Sequence, residues 1–354
     1  MKNLYCLICA LVFALPINAQ VGGDNVFEFL NSAPTARVAG LAGNLITVKD
    51  GDVGLAYQNP ASLNPEMHLG LTFNYNFHLS GINEGFASFG YHLEKYQITL
   101  HAGAKFINYG DFVTTDEFGN VFNSFDVSEN VFFIGASRQL YEKLSVGVNV
   151  KAISSSLEIY DSFGLAADFA AMYQDTATNF SITLLAKNIG SQLSSYQDQK
   201  EDMPFEMQIG ISKRLKYLPF RWSIIYHDLN RWNILYDDPD QVENTLLIGE
   251  VETEDGPTKI WFNNLARHFI INGEFLFGKK EAFNIRLGYD HQLRTELSVE
   301  NLRSLAGFSL GFGLKIKMFR IDYGRTFFHL AGGTNHLSIS TNLTRFTKQL
   351  PNLN

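Results

Sequence analysis

The chain has 354 residues and a formal net charge of −8, and this acidic balance leaves no basic stripe that would neutralise the phosphates of a nucleic acid. Aromatic residues make up 14% of the sequence, with 30 Phe, whereas only 18% of residues are charged, against about 25% in an average soluble protein. The excess of Phe favours an apolar outer band that faces lipid over a soluble domain.

The first nineteen residues have the pattern of a secretory leader. Lys2 supplies a positive charge, an apolar run follows, and Ala19 closes a plausible cleavage site. We therefore predict a signal peptide over residues 1–19. Both cysteines, Cys6 and Cys9, lie inside it, so the mature protein is expected to have no disulfide. No later stretch offers the roughly 20 consecutive apolar residues of a transmembrane helix.

Residues 20–68 do not alternate between apolar and polar side chains, and they precede the alternating region. A segment of this length would fill a lumen that otherwise holds water, so we predict an N-terminal plug. Its predicted contacts with the barrel are Arg37, Asp50, Asp52, Asn59 and Pro60, with Lys49 as a further charge, opposite lumenal residues such as His101, Lys105, Arg286 and Asp290. The alternative interpretation is that these charged residues line a pathway for an ion or a substrate.

Strict alternation begins near residue 69 and continues to residue 346. In Lys143 to Ala152, for example, Leu144 and every second residue after it are apolar, while Asn149 and Lys151 are among those on the other face, as in a strand rather than a helix. The alternation predicts fourteen strands, at 69–79, 84–93, 96–107, 128–139, 144–156, 161–174, 179–189, 205–215, 220–229, 266–277, 282–292, 304–316, 318–328 and 334–346. The sequence thus predicts an all-β fold, a transmembrane antiparallel β-barrel over 69–346 with a short tail at 347–354.

Alternate connections differ in length, and this difference predicts the orientation. Short turns such as 94–95 are expected in the periplasm, whereas the long connections 108–127, 190–204, 230–265 and 293–303 are expected outside the cell. An even number of strands then places both ends of the mature chain on the periplasmic side.

The longest connection, 230–265, contains residues suited to binding a protein partner. The candidates are Trp232, Tyr236, Asp237, Asp238, Trp261 and Phe262. Buried aromatic anchors carry much of the energy of an interface. Alternatively, Trp232 and Tyr236, just above a strand end, fit an aromatic girdle, and Trp261, Phe262 and Leu265 suit a short amphipathic cap packed against the rim. The carboxylates at 237, 238 and 240 suit either a divalent cation or an ordinary turn.

Motifs for catalysis are missing from the sequence. It contains no nucleophile elbow, no H-E-x-x-H, no Walker loop and no Cys/His pair at metal spacing. We therefore predict no catalytic residues, no metal site and no cofactor.

Three groups of segments carry a resemblance to a known family. They are residues 20–25, 36–44 and 58–63; then 218–221, 228–232 and 236–239; and finally 287–292, 305–308, 322–325, 330–333 and 335–336. With these segments the chain resembles the PorQ-type outer-membrane barrels of the type IX secretion system of Bacteroidetes, which are similar in fold to PorV and to long-chain fatty-acid transporter barrels.

The resemblance implies a non-enzymatic role in the outer membrane. A barrel of this family would anchor a PorZ-like surface protein within the attachment complex that also contains the sortase-like PorU and the cargo shuttle PorV. The alternative, from the wider similarity, is an outer-membrane transporter or channel for hydrophobic small molecules. That alternative needs a path past the plug, such as an opening in the wall beside a kinked strand, for which Gly110, Gly164 and Gly273 are candidates.

Overall fold

The computed structural model describes residues 25–78, 81–118, 120–196, 200–235, 257–279, 281–297, 304–329 and 332–344. The predicted signal peptide and the predicted tail lie outside these residues. No helix in these ranges is long and apolar enough to cross a membrane.

Fourteen antiparallel strands form one closed barrel, because β1 pairs with both β2 and β14. The strands are β1 Gly70–Phe77, β2 Asn83–Leu93, β3 Ile98–Thr115, β4 Val121–Tyr141, β5 Leu144–Leu157, β6 Tyr160–Asp175, β7 Phe180–Ser194, β8 Glu206–Arg214, β9 Phe220–Tyr226, β10 Phe269–Phe277, β11 Phe283–Asp290, β12 Phe308–Ile316, β13 Phe319–His329 and β14 Gly332–Asn342. The predicted fold class is confirmed.

Alternation along each strand separates a lipid-facing surface from a lumenal one. On β4, Phe132 and Ile134 point outward and are 66% and 64% exposed, whereas Val131 and Phe133 are buried in the lumen. Large apolar side chains are exposed in this way all around the barrel. A soluble protein does not expose an apolar surface of this extent, so the barrel spans a membrane.

The wall is much taller on one side than on the other. Strands β3 to β7 have 14 to 21 residues, whereas β8 to β12 have only 7 to 9. The prediction of a long loop over 108–127 was therefore wrong, since most of it extends the β3–β4 hairpin. The backbone of this region forms hydrogen bonds between β3 and β4 instead of an irregular loop.

The plug, residues 25–68, consists of short helical turns inside the lumen. The helix α1 (Ala36–Ala39) is capped by Thr35, whose side chain accepts from the Val38 amide. Two further turns begin at Asn59 and Asn64, whose side chains cap the turn while the following proline takes the first helical position. In such turns the buried backbone N–H and C=O groups find hydrogen-bond partners within the segment itself. The plug needs these local partners because it is not part of the barrel's strand ladder.

Two helices lie at the long-loop end: α2 (Pro257–Arg267) and α3 (His291–Glu296). The plug also begins at this end, because the Val26 amide donates to the Asp202 carbonyl, 2.9 Å away, between β7 and β8. The barrel itself begins at the short-turn end, as predicted, whereas residue 25 lies at the long-loop end. The mature N-terminus, predicted at residue 20 on the periplasmic side, lies outside the described residues. The plug reaches the long-loop end because its first apolar residues pack against the tall wall.

Candidate functional site

Arg37 connects the plug to the wall through three carboxylates. Its guanidinium lies 2.8 Å from Asp50 Oδ2, 3.1 Å from Asp52 Oδ2 and 3.0 Å from Glu274 Oε1 on β10. Burial alone would raise the pKa of Asp50, but the charge and hydrogen bond of Arg37, together with the charges of Arg221 and Arg320, outweigh it and lower the pKa to about 2. The carboxylate therefore remains ionised across the physiological pH range.

Glu274 extends this ionic cluster into three further strands. It pairs with Arg221 on β9 and with Arg286 on β11, whose Nε is 3.2 Å away. Arg286 in turn lies 2.7 Å from Asp322 on β13. Through Glu274 the plug is thus tied to a network of alternating charges on four of the five consecutive strands β9 to β13, an arrangement suited to fixing it in place.

A second set of ion pairs lies on the tall side of the lumen. Lys105 on β3 pairs with Glu84 at 3.1 Å and donates to the Phe29 carbonyl of the plug at 2.7 Å. Lys151 on β5 pairs with Asp168 at 2.8 Å. His101 instead bonds to Asn149, and Asp290 caps α3 at the loop end, so neither of these two meets a plug charge.

Asn59 and Pro60 lie deep in the lumen against β5. The Asn59 side chain accepts from the Ala61 amide at 2.9 Å and donates to the Ile46 carbonyl. A Cβ at Gly147 would stand only 2.3 Å from the Pro60 carbonyl carbon. This strand therefore needs glycine where the Asn-Pro turn approaches it.

Three of the predicted partner-binding residues come together at the loop end. The rings of Trp232 and Trp261 are 5.7 Å apart, and those of Trp261 and Phe262 are 5.0 Å apart. All three side chains are exposed, and we call them the rim cluster. The predicted Tyr236, Asp237 and Asp238, together with Asp240, lie outside the described residues.

Two buried groups support the rim cluster from below. His268 bonds to the Trp232 carbonyl at 3.1 Å and to the His227 carbonyl at 2.9 Å, and Asn264 of α2 donates to the same Trp232 carbonyl. Helix α2 therefore holds Trp261 beside Trp232.

Glu206, His227 and Asp228 bring their ligand atoms within 4.8 Å of one another. His227 uses both ring nitrogens, Nδ1 toward Asp228 Oδ2 at 2.9 Å and Nε2 toward the Arg267 carbonyl at 3.0 Å. Both acceptors are oxygens, so this geometry suits a doubly protonated imidazolium, which has no lone pair for a metal. Burial opposes that charge, but the hydrogen bond to Asp228 and the negative charges of Glu206, Asp228 and Asp290 together raise the pKa of His227 to about 8.

The wall is interrupted between β7 and β8. These strands pair from Phe180 to Lys187, but above Lys187 strand β7 continues to Ser194 beside β6 alone. Asn188 has a φ of 57°, and its amide donates to the Asp168 side chain at 2.8 Å instead of to a strand. We call residues 188–194, which lack a β8 partner, the wall gap.

The wall gap is closed by residues 200–205 and the start of the plug. Asn188 donates to the Pro204 carbonyl at 3.0 Å, the Glu201 amide donates to Gln192 at 2.9 Å, and Asn25 forms a β-bridge with Asp202. Directly inside lies an apolar lumenal cluster. Its members are Val26, Phe27, Phe29 and Leu30 of the plug with Ile107, Val131, Ile153, Ala166 and Met203.

The predicted kink sites do not form this gap. Gly110 has a φ of 86° beside a register shift in β3. At Gly164 an added Cβ would meet the Phe27 ring at 2.7 Å, whereas Gly273 lies in regular pairing. The sequence analysis did not predict the role of Asn188. Asparagine is one of the few residue types that tolerate a left-handed backbone conformation. The sequence feature that indicates the gap is the polar Lys187-Asn188 pair, which interrupts an otherwise apolar strand.

Comparison with known proteins identifies similar folds. No protein-family model matches the sequence, and no curated protein matches it. The toluene transporter TbuX of Ralstonia pickettii is similar in structure, with 12% identity, a TM-score of 0.50, and coverage of 90% of this chain and 100% of that one. The monoaromatic hydrocarbon channel CymD has 16% identity, a TM-score of 0.46 and coverage of 89% and 97%.

A FadL homologue of Pseudomonas aeruginosa has 10% identity, a TM-score of 0.46 and coverage of 87% and 98%. At these identities the similarity concerns the fold, and the similarity to TbuX supports a closed barrel of the outer-membrane type.

Proposed function

We propose that this chain is an outer-membrane transporter or channel for hydrophobic small molecules. The observation that carries the proposal is the wall gap, which lies directly beside the apolar lumenal cluster. Barrel lumens are normally polar, so an apolar surface on several neighbouring strands, next to an interruption of the wall, suits an apolar ligand. The fold shared with TbuX, described as a toluene transporter, supports the same proposal.

In this proposal only the start of the plug moves. Residues 25–31 fill the apolar lumenal cluster, and Phe27 adopts a φ of 59°, a strained conformation for a bulky residue that costs on the order of 1 kcal/mol or more. The rest of the plug is held by the ion pairs of Arg37. An apolar ligand would displace the first segment and leave sideways between β7 and β8.

A disulfide that locks this segment tests the proposal. Asn25 and Asp202 form a parallel β-bridge. Paired strands lie about 4.8 Å apart, within the ~4.4–6.8 Å Cα separation of a disulfide, so we expect Asn25→Cys with Asp202→Cys to fix the segment over the gap. The readout is the entry of the hydrophobic dye 1-N-phenylnaphthylamine into intact cells. Oxidation is expected to reduce the entry rate to that of cells without the protein, and a reductant should restore it.

The matched control is the pair Asn83→Cys with Asn108→Cys, which face each other at the same end of the barrel in the regular β2–β3 ladder. Oxidising this pair should leave dye entry unchanged. Equal entry through the oxidised 25–202 variant and the wild type would contradict transport by this route.

The rim cluster supports a second candidate function. We propose that the barrel anchors a PorZ-like surface protein in the type IX attachment complex with PorU and PorV, with exposed Trp232, Trp261 and Phe262 as the docking surface. Clustered Trp side chains are the type most often found at the centre of interfaces. The fold comparison favours the first candidate, whereas this exposed cluster favours the second.

A pull-down from the native outer membrane tests the second candidate. The tagged protein should retain a PorZ-like partner, and Trp232→Ser with Trp261→Ser should remove it. Leu305→Ser, which changes an exposed apolar residue elsewhere at the loop end, should have no effect. Recovery of the barrel without any surface protein would contradict anchoring and leave the transport proposal untouched.

A further inference from the structure

A groove crosses the lipid-facing surface of strands β2 to β8. It consists of two neighbouring depressions of about 430 and 590 Å³ that share Ala136 and Val148. These volumes lie in the range of ligand clefts, ~300–1,000 Å³. The floor is low because small residues stand where other rows of the barrel carry Phe or Leu: Ala102, Ala136, Ala171 and Ala186.

Bulky side chains form the sides of the groove. Ile134, Phe169 and Leu184 are exposed and stand beside the small residues. All of them belong to the lipid-facing rows, so the groove opens onto the hydrocarbon of the bilayer. Its occupant is therefore a component of the membrane, either an acyl chain or another membrane-spanning protein surface.

Arg138 supplies a charge at one end of the groove. It follows Ile134 and Ala136 on the lipid-facing row of β4 and is exposed. Its register partners are Ile98, the first residue of β3, and Val146, which places it near the short-turn end, at the level of the periplasmic headgroups. Arg138 has no salt bridge to any residue that the structure describes.

We propose that this groove binds an anionic glycerophospholipid of the periplasmic leaflet, with its acyl chains along the small residues and its phosphate on Arg138. Arginine pairs with phosphate through two parallel hydrogen bonds, and no carboxylate lines the groove. A second copy packed across the same face would bring two Arg138 side chains into an apolar interface without a counter-charge, which is costly.

Native mass spectrometry of the purified barrel tests the site. The protein is released from mixed micelles that contain equal amounts of phosphatidylglycerol and phosphatidylethanolamine. The wild type is expected to retain phosphatidylglycerol preferentially, and Arg138→Gln should lower the ratio of the two retained lipids by about two- to fivefold, as for an exposed ion pair. Ala171→Phe, which fills the groove, should lower the retention of both lipids.

Two controls separate this site from general lipid contact. Lys213→Gln removes another exposed, lipid-facing cation near the short-turn end, on β8 outside the groove lining, and Ile271→Phe adds bulk to the lipid-facing row of β10. Neither should change lipid retention. Equal effects of Arg138→Gln and Lys213→Gln, or a dimer that Ala171→Phe converts to monomer without loss of lipid, would overturn the proposal.

Discussion

Arg37 is the residue on which the position of the plug depends most. Its buried guanidinium neutralises Asp50, Asp52 and Glu274 together. Arg37 and Glu274 are buried and Asp52 is only 10% exposed, so loss of the cation would deprive largely desolvated carboxylates of their nearest positive charge.

We expect Arg37→Gln to lower the free energy of unfolding by about 3 kcal/mol, since breaking a buried pair leaves an uncompensated charge. The measurement is denaturant unfolding in detergent micelles. Arg214→Gln is the control, because its pair with Glu281 is 42% and 33% exposed and should contribute at most about 1 kcal/mol. Equal losses in the two variants would contradict a special role for Arg37.

His227 gives the loop end a dependence on pH. Its pKa is raised to about 8 in the folded state, above about 6.5 in an unfolded chain, so its stabilising charge is fully present below pH 6.5 and is lost as the pH rises through 8. In a Trp222→Phe background, the fluorescence of the two rim tryptophans should change with a midpoint near pH 8. His227→Gln should abolish this transition, and an unchanged transition in that variant would argue against His227 as its source.

Sequence reasoning found individual charges of the lumen more readily than their partners. Arg37, Asp50 and Asp52 stand out because a plug has few charges, but Glu274 lies 237 positions from Arg37 along the chain. Their meeting depends on the closure of the barrel and on where the plug sits, which local alternation does not specify. The pairing of Trp232 with Trp261 likewise depends on α2, which follows residues outside the described ranges.

At the scale of elements, alternation predicted all fourteen strands, because lipid on one side and plug on the other impose a period of two on every strand. Strand ends were harder to predict. The β3–β4 hairpin continues past the other strands of the wall, and β7 separates from β8 at Asn188. Both features depend on pairing with neighbouring strands, which the alternation within one strand does not predict.

The close approach of β5 to the plug gives a prediction at this scale. Gly147→Val should force the Asn59-Pro60 turn away from the wall, because a Cβ there would stand 2.3 Å from Pro60. We expect a loss of about 1–3 kcal/mol in the free energy of unfolding, measured as above. Gly51→Ala is the control, since its Cβ would have no neighbour closer than 3.7 Å; an equally large loss there would contradict the packing argument.

At the scale of the whole molecule, the barrel combines a fixed plug with one weakly closed side. The Arg37–Glu274 ion pair ties the plug to β10, and Glu274 is itself paired with Arg221 of β9 and Arg286 of β11. Residues 25–31 are held instead by apolar contacts, one β-bridge and hydrogen bonds such as the one from Lys105 to the Phe29 carbonyl. Apolar contacts are the kind that an apolar ligand can replace, and this division underlies the proposed transport.

Hydrogen exchange with and without toluene tests this division most directly. The purified barrel in detergent micelles is incubated in deuterated buffer, and exchange is followed by mass spectrometry in a peptide that covers residues 26–32 and in one that covers 53–64 as an internal control. We expect faster exchange over 26–32 when toluene is present and no change over 53–64. Unchanged exchange over 26–32 at saturating toluene would contradict displacement of this segment and leave anchoring of a surface protein as the remaining candidate.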